Sequence, residues 1–88
     1  MPNLSTFYGI AINMYYRPKE HNPPHFHALY AEQEALVDIN TLQVFEGSLP
    51  RRAEALVLKW AAMHKKELKD AWEACSKTTQ PKKIKPLA

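Results

Sequence analysis

The sequence predicts an α+β domain in which a four-stranded antiparallel meander sheet carries one long C-terminal helix packed on one face. Two patterns support this prediction. Residues 7–46 contain short segments of alternating character separated by turn-forming residues, and residues 49–76 repeat apolar side chains at helical spacing. With 88 residues, 45% of them hydrophobic, the chain can build one compact core. We therefore expect a single domain over residues 1–77, followed by a basic tail over residues 78–88.

The first predicted strand runs from Phe7 to Tyr16, where side chains alternate between two faces. Its more apolar face consists of Tyr8, Ile10, Ile12, Met14 and Tyr16. Three prolines, Pro18, Pro23 and Pro24, then remove backbone donors and favour extended conformations in the residues that precede them. Residues 17–24 are accordingly predicted to form a loop of limited flexibility.

Three further strands are predicted, from His25 to about Ala31, from Glu34 to Ile39 and from about Leu42 to Glu46. If Glu32-Gln33 and Asn40-Thr41 are two-residue turns, the strand registers follow from the numbering. The core face then pairs Phe26 with Ile39, Ala28 with Val37, and Tyr30 with Ala35, while Ile39 and Val37 also face Leu42 and Val44. The opposite face pairs His27 with Asp38, Leu29 with Leu36, and both Asp38 and Leu36 with Gln43 and Phe45.

The helix is predicted to begin near Ser48, a suitable N-cap, with Pro50 in its first turn, and to end near Ser76. Its apolar stripe comprises Ala53, Val57, Trp60, Ala61, Leu68, Ala71, Trp72 and Cys75. His64 lies within this stripe, which is typical of a core-facing histidine with one satisfied hydrogen bond. It could join the other histidines only if the helix covered their side of the sheet, contrary to the predicted register.

The most unusual stretch of the chain is His21-Asn22-Pro23-Pro24-His25-Phe26-His27. Strand alternation directs Phe26 to the core and directs His25 and His27 to the opposite face. The candidate binding residues are thus His21, His25, His27 and Asp38. Of these, His25, His27 and Asp38 are also candidate catalytic residues.

Three kinds of chemistry suit these residues. A metal ion could use them as ligands, but the familiar zinc spacings are absent, so we expect no metal and no other cofactor. Alternatively, two histidines could act as base and acid in metal-free cleavage of RNA, with Asp38 orienting His27. The third interpretation is a recognition surface whose histidines bond to loop carbonyls, and this interpretation is favoured for so short a chain.

Composition limits the location and partners of the protein. No apolar run approaches the roughly 20 residues of a membrane-spanning helix, the N-terminus does not resemble a signal peptide, and the single Cys75 cannot form an internal disulfide. We therefore expect a cytoplasmic protein without membrane contact. Many of the lysines come late: Lys65, Lys66, Lys69, Lys77, Lys82, Lys83 and Lys85. Such a cluster could contact phosphates, but without interleaved aromatic residues it favours a solvated helix face and tail.

Several segments together resemble the bacterial domain of unknown function 4160 family. Two of them lie in the first part of the chain: the start through Phe7-Tyr8-Gly9-Ile10 and the centre from His21 to Ala28. The others are the helix start Leu49-Pro50-Arg51-Arg52-Ala53, the two helix tryptophans Trp60 and Trp72, and the end Lys82-Lys83-Ile84 with Pro86-Leu87. The resemblance implies a small, stand-alone cytosolic protein, often encoded beside another small protein in the manner of a toxin and antitoxin pair. It implies no catalytic residue or cofactor.

We therefore expect a small binding or regulatory protein of a two-gene module that acts through its histidine-bearing sheet face. A protein partner encoded nearby, or a second copy in a homodimer, would cover the apolar residues Leu29, Leu36 and Phe45 on that face. The alternative is a histidine-dependent, metal-free ribonuclease.

Overall fold

A computed structural model describes residues 2–16 and 23–88, which form an antiparallel sheet and two C-terminal helices. The elements are β1 (Asn3–Phe7), β2 (Ile10–Asn13), β3 (His25–Tyr30), β4 (Gln33–Asp38), β5 (Val44–Gly47), α1 (Arg51–Met63) and α2 (Lys65–Ser76). The strands lie in chain order, each antiparallel to the next. The α+β class and the antiparallel meander are confirmed, whereas four strands and one long helix are wrong: the described residues hold five strands and two helices.

The additional strand arises because the segment predicted as one strand from Phe7 to Tyr16 contains a hairpin. Tyr8 and Gly9 connect β1 to β2, and both have positive φ angles, 51° and 77°. Two consecutive left-handed residues form the tight turn that matches the twist of an antiparallel pair. Gly9 adopts this conformation without steric cost, so the chain reverses there and the polar N-terminal residues become β1.

The predicted pairing between β3 and β4 is wrong by two residues. His25 lies opposite Asp38, Phe26 opposite Val37, and His27 opposite Leu36. The two-residue turn is centred on Ala31 and Glu32 instead of Glu32 and Gln33, with Ala31 in a left-handed conformation (φ 54°). Because the slip is an even number of residues, every side chain keeps its predicted face while its partner changes.

The pairing of β4 with β5 agrees with the predicted register at one end and departs from it at the other. Val37 lies opposite Val44 as predicted, and the Asp38 amide donates to the carbonyl of Gln43. Leu36, however, lies opposite Glu46 and not Phe45, because a bulge leaves Phe45 as an extra residue in β5.

The helical segment is divided by a single residue, His64, which has φ −126°. Residues 51–76 continued as one straight helix would be about 39 Å long, whereas the longest dimension of the molecule is 33 Å. The break lets both helices contribute to one core. Helix α1 contributes Val57 and Trp60, and helix α2 contributes Leu68.

The predicted N-cap, Ser48, is not used. Helix α1 begins at Arg51 with Pro50 in the N-cap position and no side-chain cap. The Ser48 amide instead donates to the carbonyl of Glu34, which continues the contact between β4 and β5 by one residue. Sheet pairing therefore takes precedence over capping at this junction.

The C-terminal tail packs along the edge of the sheet. The Ile84 amide donates to the carbonyl of Leu4 in β1, and the Ile84 side chain is buried. The indole Nε1 of Trp60 donates to the Lys85 carbonyl at 2.8 Å. The tail therefore lies along the β1 edge of the sheet.

Within residues 2–16 and 23–88, neither helix is long and apolar enough to span a membrane.

Candidate functional site at the histidine face

The sheet presents its core side to the helices, and its other side carries the histidines. We call this second side the histidine face and define it by Asn13, His25, His27, Leu29, Glu34, Leu36, Asp38 and Glu46, joined by the rings of Tyr15 and Phe45. A row of directly opposed residues crosses four strands, from Asn13 through His27 and Leu36 to Glu46. The meander thus places residues that are far apart in sequence on one surface.

His27 is held by a carboxylate that the sequence did not single out. Its Nδ1 lies 2.8 Å from Oε2 of Glu34, which is the diagonal neighbour across the β3–β4 pair. Because an ionised carboxylate only accepts hydrogen bonds, Nδ1 carries the proton. The Tyr15 ring packs edge-on against the imidazole, with 4.3 Å between ring centroids. These contacts fix both the orientation of the ring and its tautomer.

His25 is more deeply buried, with 6% of its surface exposed. Its Nδ1 donates to the carbonyl of Pro23 at 2.8 Å, so this histidine anchors the end of the proline loop to β3. Its ring lies among those of Trp72, Phe45 and His27, with centroid separations of 5.2, 5.5 and 5.5 Å. His25 and His27 are therefore neighbours, as their alternation in the sequence indicates.

Asp38 is directly opposite His25 in the backbone register, not opposite His27. Its Oδ1 accepts the backbone amides of Asn40 and Thr41, at 2.7 and 3.0 Å. This is the local turn-stabilising role that aspartate commonly plays. The predicted pairing of Asp38 with His27 is consequently wrong: Leu36 lies opposite His27, and the carboxylate bonded to His27 is that of the diagonal neighbour Glu34.

The two remaining histidines behave differently. His21 lies outside the described residues. His64 separates α1 from α2, where its Nδ1 lies 2.6 Å from Oε1 of Glu67 and its ring lies 5.5 Å from that of Trp60. These contacts are with the two helices that His64 separates, Trp60 in α1 and Glu67 in α2.

Two members of the site, Glu34 and Trp72, escaped prediction. Glu34 could have been found by placing the β3–β4 turn one residue nearer the N-terminus, because Glu34 then becomes the diagonal neighbour of His27. Phe45 was predicted on this face, but its neighbours were not, because the bulge shifts it out of direct pairing with Leu36 and it lies against His25. Trp72 was assigned to the core on helical spacing alone, although its ring contacts His25.

Exposure divides the histidine face into two parts. The side chain of His27 is 14% exposed, and Leu29 and Leu36 are half-buried. Toward β5 the face opens to solvent, where the side chain of Glu34 is 44% exposed and Phe45 is 45% exposed, with Glu46 also exposed. The accessible part of the face is therefore its β4–β5 side.

Apart from its histidines, the charged side chains that define the histidine face are acidic. The histidine face carries three carboxylates, those of Glu34, Asp38 and Glu46. The lysines and arginines among the described residues all lie between positions 51 and 85, in the helices and the tail. Two of these lysines nevertheless reach the sheet, since Nζ of Lys83 donates to Oδ1 of Asn3 and Nζ of Lys65 donates to the carbonyl of Asn40. The exposed carboxylates of Glu34 and Glu46 favour a cationic group on the β4–β5 side of the face.

Among residues 2–16 and 23–88, no group of three or more histidine, cysteine, aspartate or glutamate side chains is arranged to hold a metal ion. The described part of the site consists of hydrogen-bonded histidines, exposed carboxylates and aromatic rings.

Comparison with known proteins agrees with the resemblance found in the sequence. No match was found among curated proteins, nor among solved structures. The family model described as Domain of unknown function (DUF4160) matches residues 9–73, which include every described residue of the histidine face. The chain belongs to the DUF4160 family.

Proposed function

We propose that the chain is a small bacterial binding and regulatory protein of a two-gene module, and that its histidine face contacts a protein partner encoded nearby. The observation that carries this proposal is Phe45, a large apolar side chain that is 45% exposed and lies against His25. Exposed aromatic side chains beside fixed polar groups are typical of the anchor positions of protein interfaces.

The hydrogen bonds of the histidines support a surface that is ready to bind. The Pro23 carbonyl holds His25, and the Glu34 carboxylate holds His27. A surface whose side chains are already ordered loses less conformational entropy when it binds. Such bonds to loop and neighbouring groups are also what the recognition interpretation of the sequence implies.

The charge of the face favours protein over RNA as the partner. Three carboxylates lie on it, and none of the residues that define the face is a lysine or arginine. Nucleic acids are bound mainly through contacts between their phosphates and lysine or arginine. The described residues of this face supply the opposite charge.

One observation nevertheless favours a ribonuclease as the second candidate. The Glu34–His27 hydrogen bond is the arrangement that orients a general base, and the His25 ring is 5.5 Å away to act as acid. In that reaction Nε2 of His27 would take the proton of the RNA 2′-hydroxyl, and His25 would protonate the departing 5′-oxygen.

The decisive experiment is co-expression of the protein with the product of the neighbouring gene, followed by size-exclusion chromatography with light scattering. We expect a stable complex that is lost in Phe45→Ser. The matched control is Met63→Ser, because Met63 is also a strongly exposed apolar residue but lies at the end of α1. If wild-type protein forms no complex, or if both variants lose it equally, the proposal is wrong.

The ribonuclease candidate is tested with the same preparations. Purified protein is incubated with RNA in the presence of EDTA, next to His27→Ala and Glu34→Ala. Cleavage by wild type that both variants lack would support the enzyme in place of the binding protein. The binding proposal requires that no such cleavage is seen.

A further inference from the structure

We infer that the edge of β5 binds an extended, basic segment of the partner protein, which pairs with it as a sixth strand. This inference rests on the proposed function, because it specifies how the partner reaches the histidine face. The partner segment has an extended backbone, lysine or arginine side chains, and an apolar side chain that packs against Phe45.

The two edges of the sheet differ in how they are covered. At the β1 edge, the chain's own tail is hydrogen-bonded through Ile84 to Leu4, and Nζ of Lys83 donates to Oδ1 of Asn3 at 2.9 Å. The tail segment that lies there, Lys82-Lys83-Ile84-Lys85, is basic. At the other edge, the described strands end with β5, and no described segment pairs with its outer side.

Strand β5 offers apolar contacts on both sides of its backbone. Val44 is half-buried, lies opposite Val37 and packs against the core. Phe45 is largely exposed on the histidine side. A strand added at this edge alternates its side chains between the two sides, so neighbouring residues of the ligand could cover Val44 and Phe45.

The bulge determines the extent of the contact. An edge strand of four residues with a bulge and an exposed glutamate is a poor template for indiscriminate pairing, and such features limit aggregation. Pairing is therefore restricted to a short segment near residues 44–47. Its specificity then depends on side-chain contacts with Phe45 and on charge.

Charge complementarity selects a basic ligand. Glu34 and Glu46 are exposed on the Phe45 side of β4 and β5. Lys65 lies at the turn between these strands, where its Nζ donates to the Asn40 carbonyl and not to either carboxylate. A lysine or arginine of the added strand gains attraction from both carboxylates, and an acidic segment would be repelled. RNA is disfavoured for the same reason, since its phosphates would face those carboxylates.

The probe is a display library of short random peptides, selected on wild-type protein, on Glu46→Lys and on the matched control Glu73→Lys. Glu73 is an exposed glutamate of α2. We expect wild type and Glu73→Lys to enrich peptides that combine lysine or arginine with apolar residues at alternate positions. Glu46→Lys should bind a synthetic copy of such a peptide about tenfold more weakly, since it reverses one contacting charge.

Backbone pairing is tested separately from charge. Two versions of the same peptide are synthesised, one with N-methyl groups at the odd-numbered residues and one with them at the even-numbered residues. Both versions keep the side chains but lack half of the backbone hydrogen-bond donors. One phase should lose binding. Amide hydrogen exchange should slow at residues 44–47 with the unmodified peptide and with the phase that still binds, but not with the phase that does not.

Three results would overturn the inference: no enrichment of basic peptides, binding that neither methylated peptide loses, or protection away from β5. Selection of RNA in place of peptide from a mixed pool would also overturn it. These failures differ from failure of the proposed function, because a complex with the neighbouring gene product that Phe45→Ser disrupts would remain valid if the partner used another backbone geometry.

Discussion

Glu34 lies two residues from the direct partner of His27 on the neighbouring strand, and its Oε2 is 2.8 Å from the histidine Nδ1. This diagonal contact exists only because the β3–β4 turn is centred on Ala31 and Glu32. It determines which ring nitrogen of His27 carries the proton, whichever function the site has.

The Glu34 contact predicts an unusual tautomer for His27. When the imidazole is neutral, its proton should reside on Nδ1 in wild type and shift to Nε2 in Glu34→Ala. Two-bond nitrogen–proton NMR spectra at alkaline pH distinguish these forms. Because Glu34 is 44% exposed, the free energy of unfolding should change by less than about 1 kcal/mol.

Asp38→Ala is the comparison for this experiment, since its Oδ1 binds the amides of Asn40 and Thr41. It should lower the free energy of unfolding by about 1 kcal/mol without changing the His27 tautomer. A tautomer change in Asp38→Ala, and none in Glu34→Ala, would restore the pairing that the sequence alone suggested.

Gly47 and Gly9 predict different responses to alanine. Both have positive φ angles, but a Cβ at Gly47 would lie 2.1 Å from the Glu34 carbonyl oxygen, whereas at Gly9 the nearest atom is 3.5 Å away. Gly47→Ala should therefore lower the free energy of unfolding by about 2 to 4 kcal/mol, and Gly9→Ala by about 1 kcal/mol. Urea denaturation measures both, and equal losses would contradict the close contact at Gly47.

A glycine in the β3–β4 turn should increase the free energy of unfolding. Ala31 has φ 54°, a conformation that costs energy for a residue with a Cβ. Ala31→Gly removes this cost but increases the freedom of the unfolded chain, so a net gain of about 0.5 to 1 kcal/mol is expected. Ala55→Gly, at an exposed position inside α1, should instead destabilise the protein. A loss of stability in Ala31→Gly would contradict the observed turn.

The docked tail should contribute to global stability. Ile84 is buried against β1, so Ile84→Ala should lower the free energy of unfolding by about 2 to 4 kcal/mol. Limited trypsin digestion should then cut faster after Lys82 and Lys83, as judged by mass spectrometry. Gln80→Ala, at an exposed position of the same segment, should have no such effect. Equal digestion of both variants would show that the tail does not depend on this contact.

Much of the fold follows from local pattern. Alternation in residues 10–14 and 25–30 predicted which side chains face the core, and Ile10, Ile12, Phe26 and Ala28 are buried as expected. These assignments survive a two-residue error in register, because strand side chains repeat every second residue. Helical spacing similarly predicted that Val57, Trp60 and Leu68 would be buried, although it could not show the break at His64.

The sequence by itself therefore determined the α+β class, the order of most strands, the core face and the separation of Phe26 from its two flanking histidines. Only the tertiary structure decided which carboxylate holds His27, that Phe45 contacts His25 and where the tail lies. The physical reason is that these features depend on turn position, a bulge and the space available to a helix. In each case the alternative local conformations differ little in free energy, and contacts in the packed sheet determine which one forms.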